Sequence, residues 1–241
     1  MAFTTKTKKT PNLDVLDQAK IYMDYEANTA PFFYVVGYRW NDETKQIILD
    51  DSLKGLAEHE ELDVCAPAKA TEFILDLALQ HDASIVAFSE AEKNYFKHLN
   101  KNDRFRKYSN IPYINLAKAS KTWIRKHHKE AFDKLGDYLP RRRWNRTGLN
   151  NSLGSKMRLF EKKHQAPKDH APGHTSKRFN TILEALERKG QDYQRLARGQ
   201  KTAGTLGLKH NYWDVNALPV LFERIYKEDK KCFTRAIKSV L

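Results

Sequence analysis

Two hydrophobic runs near the start of the chain set its architecture. "KIYMDYE" (residues 20–26) and "FFYVVGYRW" (32–40) are rich in aromatic and β-branched residues and flank "ANTAP", a loop containing Pro31. They therefore read as neighbouring strands. "QIILDD" follows the polar turn "NDETK" and completes an antiparallel meander of three. Side chains on a strand alternate between faces, which puts Asp24 and Glu26 together on one side and Tyr25 on the other. Two carboxylates placed so repel each other unless a cation lies between them. The alternative at this level is that the strand ends at Met23 and both acids are solvated.

The segments that follow alternate in type. Ala70, Phe73, Ile74 and Leu77 recur at i, i+3, i+4 and i+7, the mark of an amphipathic helix. "ASIVAFS" (83–89) reads as a short buried strand, Glu90 to Leu99 as a helix, "IPYINL" (111–116) as a fifth strand and "AKASKTWIRKHHKEAFDKL" as a longer helix. The order βββαβαβα predicts an α/β domain with a mixed sheet, whose ligands gather at the carboxyl ends of the central strands. Residues 138–178 carry Pro140, Pro167 and Pro172 with little periodicity, and read as a long basic loop or insertion. "FNTILEALERKG" is a helix ended by Gly190, and structure resumes after glycines 199, 204 and 207. The expected organisation is a tail over 1–18 followed by a single domain over 19–241.

Charge is distributed unevenly, and this narrows the partners. Residues 1–100 hold 10 Lys and Arg against 17 Asp and Glu, residues 101–210 hold 27 against 9, and residues 211–241 hold 6 against 4, within an overall excess of +13. The basic middle interleaves aromatics such as Trp144, Phe160, Phe179 and Tyr193 with "RRRWNR", "KMRLFEKK" and "RLARGQK". That combination suits nucleic acid, since Lys and Arg neutralise phosphates while rings stack on unpaired bases. Cys65 and Cys232 lack metal-ligand spacing, which fits a reducing compartment. No apolar run approaches the roughly 20 residues that span a bilayer, and the lysine-bearing start has no apolar signal core. The expectation is a soluble cytoplasmic protein with no membrane partner.

Two further acids fall where such a sheet would gather them. In "SIVAFSEAEKNYFKHL", Glu92 shares a helical face with Tyr95, Phe96 and Leu99, whereas Glu90 falls with Asn94 and Lys97 on the polar side. Glu92 is thus the preferred ligand, with Glu90 as its alternative. In "GLKHNYWDVNALPVLFERIY", His210 and Asp214 stand at i and i+4, on one side of a helical turn. Pro219 lacks the amide that would bond residue 215, so a kink or restart is expected there.

An Asp-x-Glu on the first strand, an acid on the helix after the fourth, and an acid four residues after a His on a late helix together resemble the DEDD 3′-to-5′ exonuclease superfamily of the ribonuclease-H-like fold. The likeness covers residues 19–118 and 200–228. It is nearest a branch of predicted nucleases whose second motif is Tyr-Ser-x-x-Glu, matched here by "FSEAE" (88–92). This chain departs in having Glu92 where the superfamily has aspartate, and in placing His210 four rather than five residues before Asp214. The resemblance implies a five-stranded sheet, three strands antiparallel and then two parallel, flanked by helices and carrying a basic insertion. It also implies a metal-dependent 3′-to-5′ exonuclease of DNA or RNA using two Mg²⁺ or Mn²⁺ ions. Asp24, Glu26, Glu92 and Asp214 would be the ligands, and His210, with Tyr212 as fallback, the general base.

The basic segment would then hold a single-stranded end, with Arg141, Arg142, Arg143, Trp144 and Arg146 as phosphate and stacking contacts. His164, His170 and His174 sit in a proline-rich stretch without cysteine and read as a flexible loop rather than a metal site. The alternatives are a nucleic-acid-binding protein on the same fold with a degraded active site, or a structure-selective endonuclease using the same acids.

Overall fold

A computed structural model describes residues 12–27, 32–137, 152–167, 170 and 174–241. Strands β1 (Lys20–Ala27), β2 (Phe33–Trp40) and β3 (Glu43–Ile48) form the antiparallel meander. A 3₁₀ turn and α1 (Lys54–His59) lead to β4 (Asp63–Val64), and α2 (Pro67–Gln80) leads to β5 (Ser84–Ala87). After α3 (Ala91–Leu99) come β6 (Pro112–Asn115), α4 (Leu116–Trp123), a π-helical turn over Ile124–His128 and α5 (Lys129–Asp137). The remaining elements are α6 (Leu153–Met157), α7 (His174–Arg188), the 32-residue α8 (Arg198–Asp229) and β7 (Ile237–Ser239).

The strands join in one mixed sheet of seven, ordered β4-β3-β2-β1-β5-β6-β7. β5 runs parallel to β1 and β6 parallel to β5, while β4 is parallel to β3 and β7 antiparallel to β6. The expected count of five is corrected to seven. The two additions are edge strands of two and three residues, too short to show a period in the sequence. Helices cover both faces. Ile21, Met23 and Tyr25 point to α2, where they meet Ile74 and Leu75, and a Tyr25 hydroxyl bond of 2.6 Å to Thr71 ties the layers. On the other face, Val86 and Ile114 pack under α4, α6 and α8, through Trp123, Met157, Leu218 and Phe222. A third cluster joins Val35 and Ile48 to Phe179 and Ile182 of α7.

Several expectations are corrected by this packing. Leu16, within the expected tail, lies in a short 3₁₀ turn and is buried. The stretch expected to be a loop contains α6, whose Leu153 and Met157 enter the core, and the start of α7. α8 begins at Arg198, before its glycines rather than after them, because Gly204 and Gly207 are contact points: a Cβ at either would lie 2.9 Å from a side-chain carbon of Ile182 or Phe179. Nor does the helix restart at Pro219. A mid-helix proline costs about 3 kcal/mol, whereas each of Leu218, Leu221 and Phe222, all buried, contributes roughly 1.5–3 kcal/mol on leaving water.

β1 outruns its parallel neighbour. β5 pairs with it only over Lys20–Tyr22, so the half carrying Asp24 and Glu26 has β2 on one side and an open edge on the other. α8 crosses this half closely because its neighbour on β2 is Gly37, opposite Asp24, where a Cβ would sit 2.3 Å from Asn211 Oδ1.

Candidate functional site

Alternation along β1 turns Asp24 and Glu26 toward α8, and α8 presents Asp214 to them. One carboxylate oxygen from each of the three lies within 4.8 Å of the other two. Asn211, one turn before Asp214 and fully buried, donates its Nδ2 to both the carbonyl and Oδ2 of Asp24, each at 3.1 Å. Its own Oδ1 accepts from Gln46 Nε2 of β3 at 2.9 Å. Two strands and a helix thereby fix one carboxylate.

Glu92 reaches the cluster from the open edge of β1. It is 3% exposed, accepts from Ser89 Oγ at 2.8 Å and from the Tyr113 hydroxyl at 3.4 Å, and bonds the backbone of Tyr25. It stands outside the 4.8 Å group, near enough for its charge to act on Asp24 and Glu26. Glu90 lies elsewhere, bound to Lys118, Lys238 and Asn115.

His210 sets Nε2 3.2 Å from Asp214 Oδ2, and the other oxygen of Asp214 lies 3.3 Å from Nε2 of His170. The two imidazoles stack with centroids 3.5 Å apart and planes 8° from parallel, with Trp213 edge-on to His170. An ionised carboxylate only accepts, so both Nε2 atoms carry hydrogen, and Nδ1 of His210 is left buried with no partner among the described residues. Tyr212 is half exposed and turned to solvent. His170 itself therefore belongs to the site, while residues 168, 169 and 171–173 of the expected loop lie outside the described residues; only the backbone of His174 is described, at the start of α7, and His164 sits in a short 3₁₀ turn. Arg141, Arg142, Arg143, Trp144 and Arg146 lie outside the described residues.

The electrostatics follow from this crowding. Burial, then Glu26, Asp214 and Glu92, push the Asp24 carboxyl well above its ordinary range, against a small opposing effect of Asn211. Burial, then Asp214 and Glu92, do the same to Glu26, which Thr175 partly offsets by a hydrogen bond. Glu92 is raised by burial, against its bonds to backbone, Ser89 and Tyr113. Burial pushes Asp214 up as well, but His170 and His210 outweigh it and hold that carboxyl below its usual range. Crowded, partly buried carboxylates that raise one another in this way are relieved by protons or by a cation.

A cavity of about 660 Å³ opens on this cluster. Asp24, Asp214, His170, His210, Phe88 and Arg158 are among the residues that line it. Sequence reasoning missed Asn211 and Thr175, and named Arg158 only as part of the basic run "KMRLFEKK". Asn211 carried a signal, standing three residues before Asp214 on the same helical face. Another mixed group, His127, Asp229 and Cys232, also falls within 4.8 Å, but there the Lys126 ammonium, 3.1 Å from Asp229, already neutralises the carboxylate. No protein-family model, curated protein or solved structure matches the chain. No helix among the described residues is long and apolar enough to cross a membrane.

Proposed function

We propose that the chain is a divalent-cation-dependent nuclease that hydrolyses phosphodiester bonds from the 3′ end of DNA or RNA, on a ribonuclease-H-like architecture. The convergence of Asp24, Glu26 and Asp214 within 4.8 Å, with Glu92 beside them, carries this reading. The strand order β3-β2-β1-β5-β6, three antiparallel and then two parallel, supports it, as does the resemblance of the acid motifs to the DEDD exonucleases. β4 and β7 extend that core at its edges.

The donor set fits a hard cation: carboxylate oxygens with no thiolate among them suit Mg²⁺ or Mn²⁺. Asp24, Glu26 and Asp214 would hold such an ion, and Glu92 would serve a second. Two such ions supply a nucleophile at neutral pH and neutralise charge on the attacking and leaving oxygens. The chain's own groups do the rest. Asp214 would fix the His210 ring through Nε2 at the wall of the cavity, where the imidazole is the candidate general base. Arg158 offers its guanidinium to a phosphate, and Phe88 offers a ring to a base. The net charge of residues 101–210 supports a polyanionic substrate.

The test is an end-labelled single strand of DNA or RNA with Mg²⁺ or Mn²⁺. Nucleotides should be released, and release should stop with a chelator or with Asp24→Ala. Full activity in Asp24→Ala refutes the assignment. Cutting of a circular single strand replaces exonuclease with endonuclease.

A further inference from the structure

Two side chains from the basic middle of the chain grip two of the three clustered acids. His170, whose side chain is 7% exposed, holds one oxygen of Asp214 while His210 holds the other. Thr175, buried at the start of α7, bonds Glu26 through its hydroxyl. The neighbouring Ser176 donates to the carbonyl of Ala27 at 2.7 Å, pinning the start of α7 to the end of β1, where the pairing with β2 shifts register.

The geometry points to His170 and Thr175 as positioning residues that preset Asp214 and Glu26 for a divalent cation, so that the affinity of the acid cluster for the ion is set from the basic segment. The inference rests on the cation-binding part of the proposed function and not on the cleavage step.

The alternative, that His170 and His210 are themselves ligands to one ion, fails on direction. Ligand atoms of His170, His210 and Asp214 do lie within 4.8 Å of one another, but an ion about 2.0–2.1 Å from both nitrogens must lie near both ring planes, and planes 8° from parallel with centroids 3.5 Å apart do not meet near the rings. A carboxylate offers about four lone-pair sites. Asp214 can therefore receive both imidazoles and still face Asp24 and Glu26. Hydrogen bonds of this kind fix the orientation of a liganding carboxylate, and their loss lowers metal affinity by about 10- to 100-fold.

The experiment is calorimetric titration of the full-length protein with Mn²⁺ alone. His170→Phe keeps an aromatic ring against His210 but has no donor, and Thr175→Val keeps the shape but has no hydroxyl; each should weaken Mn²⁺ about 10- to 100-fold. His170→Gln and Thr175→Ser restore the donors and should return affinity to within about threefold of the parent, a recovery that a purely structural role would not give. Thr175→Val and His170→Phe proteins with the parent's melting temperature and unchanged Mn²⁺ affinity would overturn the inference. If His170→Phe does not fold, the Thr175 pair decides it by the same criterion. A parent protein that binds Mn²⁺ with these dependences yet cuts no nucleic acid upholds the inference and refutes the nuclease. One that binds no Mn²⁺ refutes both.

Discussion

Replacing Asp24 with asparagine removes one charge from the cluster while keeping an oxygen that can accept from Asn211. Two full charges no more than 4.8 Å apart, at an effective dielectric of about 20, repel by roughly 3.5 kcal/mol or more. Asp24 faces two such neighbours, Glu26 and Asp214, but His170 and His210 already offset much of the second. Proton uptake limits the remainder, since protonating an ordinary carboxyl at pH 8 costs about 5 kcal/mol. Asp24→Asn should thus stabilise the metal-free protein by about 2–4 kcal/mol, after allowing for a weaker bond from Asn211. For a chain of this length that is a rise in melting temperature of about 5–15 °C. The assay is thermal unfolding followed by circular dichroism at pH 8, in chelator and in saturating Mn²⁺. The parent should gain stability from Mn²⁺ and the variant should gain little. A variant that melts at or below the parent in chelator would refute the repulsion on which the cation site is built.

Three other outcomes follow from the same geometry. Glu92→Gln should cut nucleotide release at least tenfold, about the loss seen when a ligand's support is removed, whereas Glu90→Gln should leave it within about twofold; equal losses in an end-labelled assay would dissolve the distinction between them. Gly37→Ala drives a methyl to 2.3 Å from Asn211 Oδ1, so urea unfolding should show a loss of about 1–3 kcal/mol, and an unchanged midpoint would mean that α8 shifts freely on β2. Asp24, Glu26 and Glu92 are raised in the folded state, so the native chain holds protons that the unfolded chain has released. Stability of the metal-free protein should therefore be greatest near the unfolded carboxyl range, about pH 4 to 5, and be lost progressively as pH rises through the raised folded values; Asp214, lowered, contributes the opposite slope at the acid end. Melting temperatures in chelator from pH 5 to 8 check this, and a flat or rising curve counts against it.

The sequence was most legible where a period carries the information. Alternation along residues 20–26 put Asp24 and Glu26 on one face, the face they occupy, and helical spacing separated Glu92 from Glu90 and joined His210 to Asp214. What was not legible depends on contacts between distant segments. Nothing in "APKDHAPGH" announces that His170 stacks on a ring 40 residues later, and a short proline-rich stretch gives no period by which to place it. Gly204 and Gly207 read locally as helix breakers, yet they are where a long helix lies closest to its neighbours. The two short edge strands exist only because β3 and β6 offer them partners.

The cluster also has a timetable. Asp24 and Asp214 are separated by 190 residues, which ribosomes take on the order of 10–40 s to polymerise. Through that interval an emerging polypeptide carries β1 with two carboxylates and nothing to complete them. The third arrives only when α8, which follows every other element of the cluster in the chain, lies down across the sheet. Whatever chemistry the assembled acids perform is thereby withheld until α8 has been made.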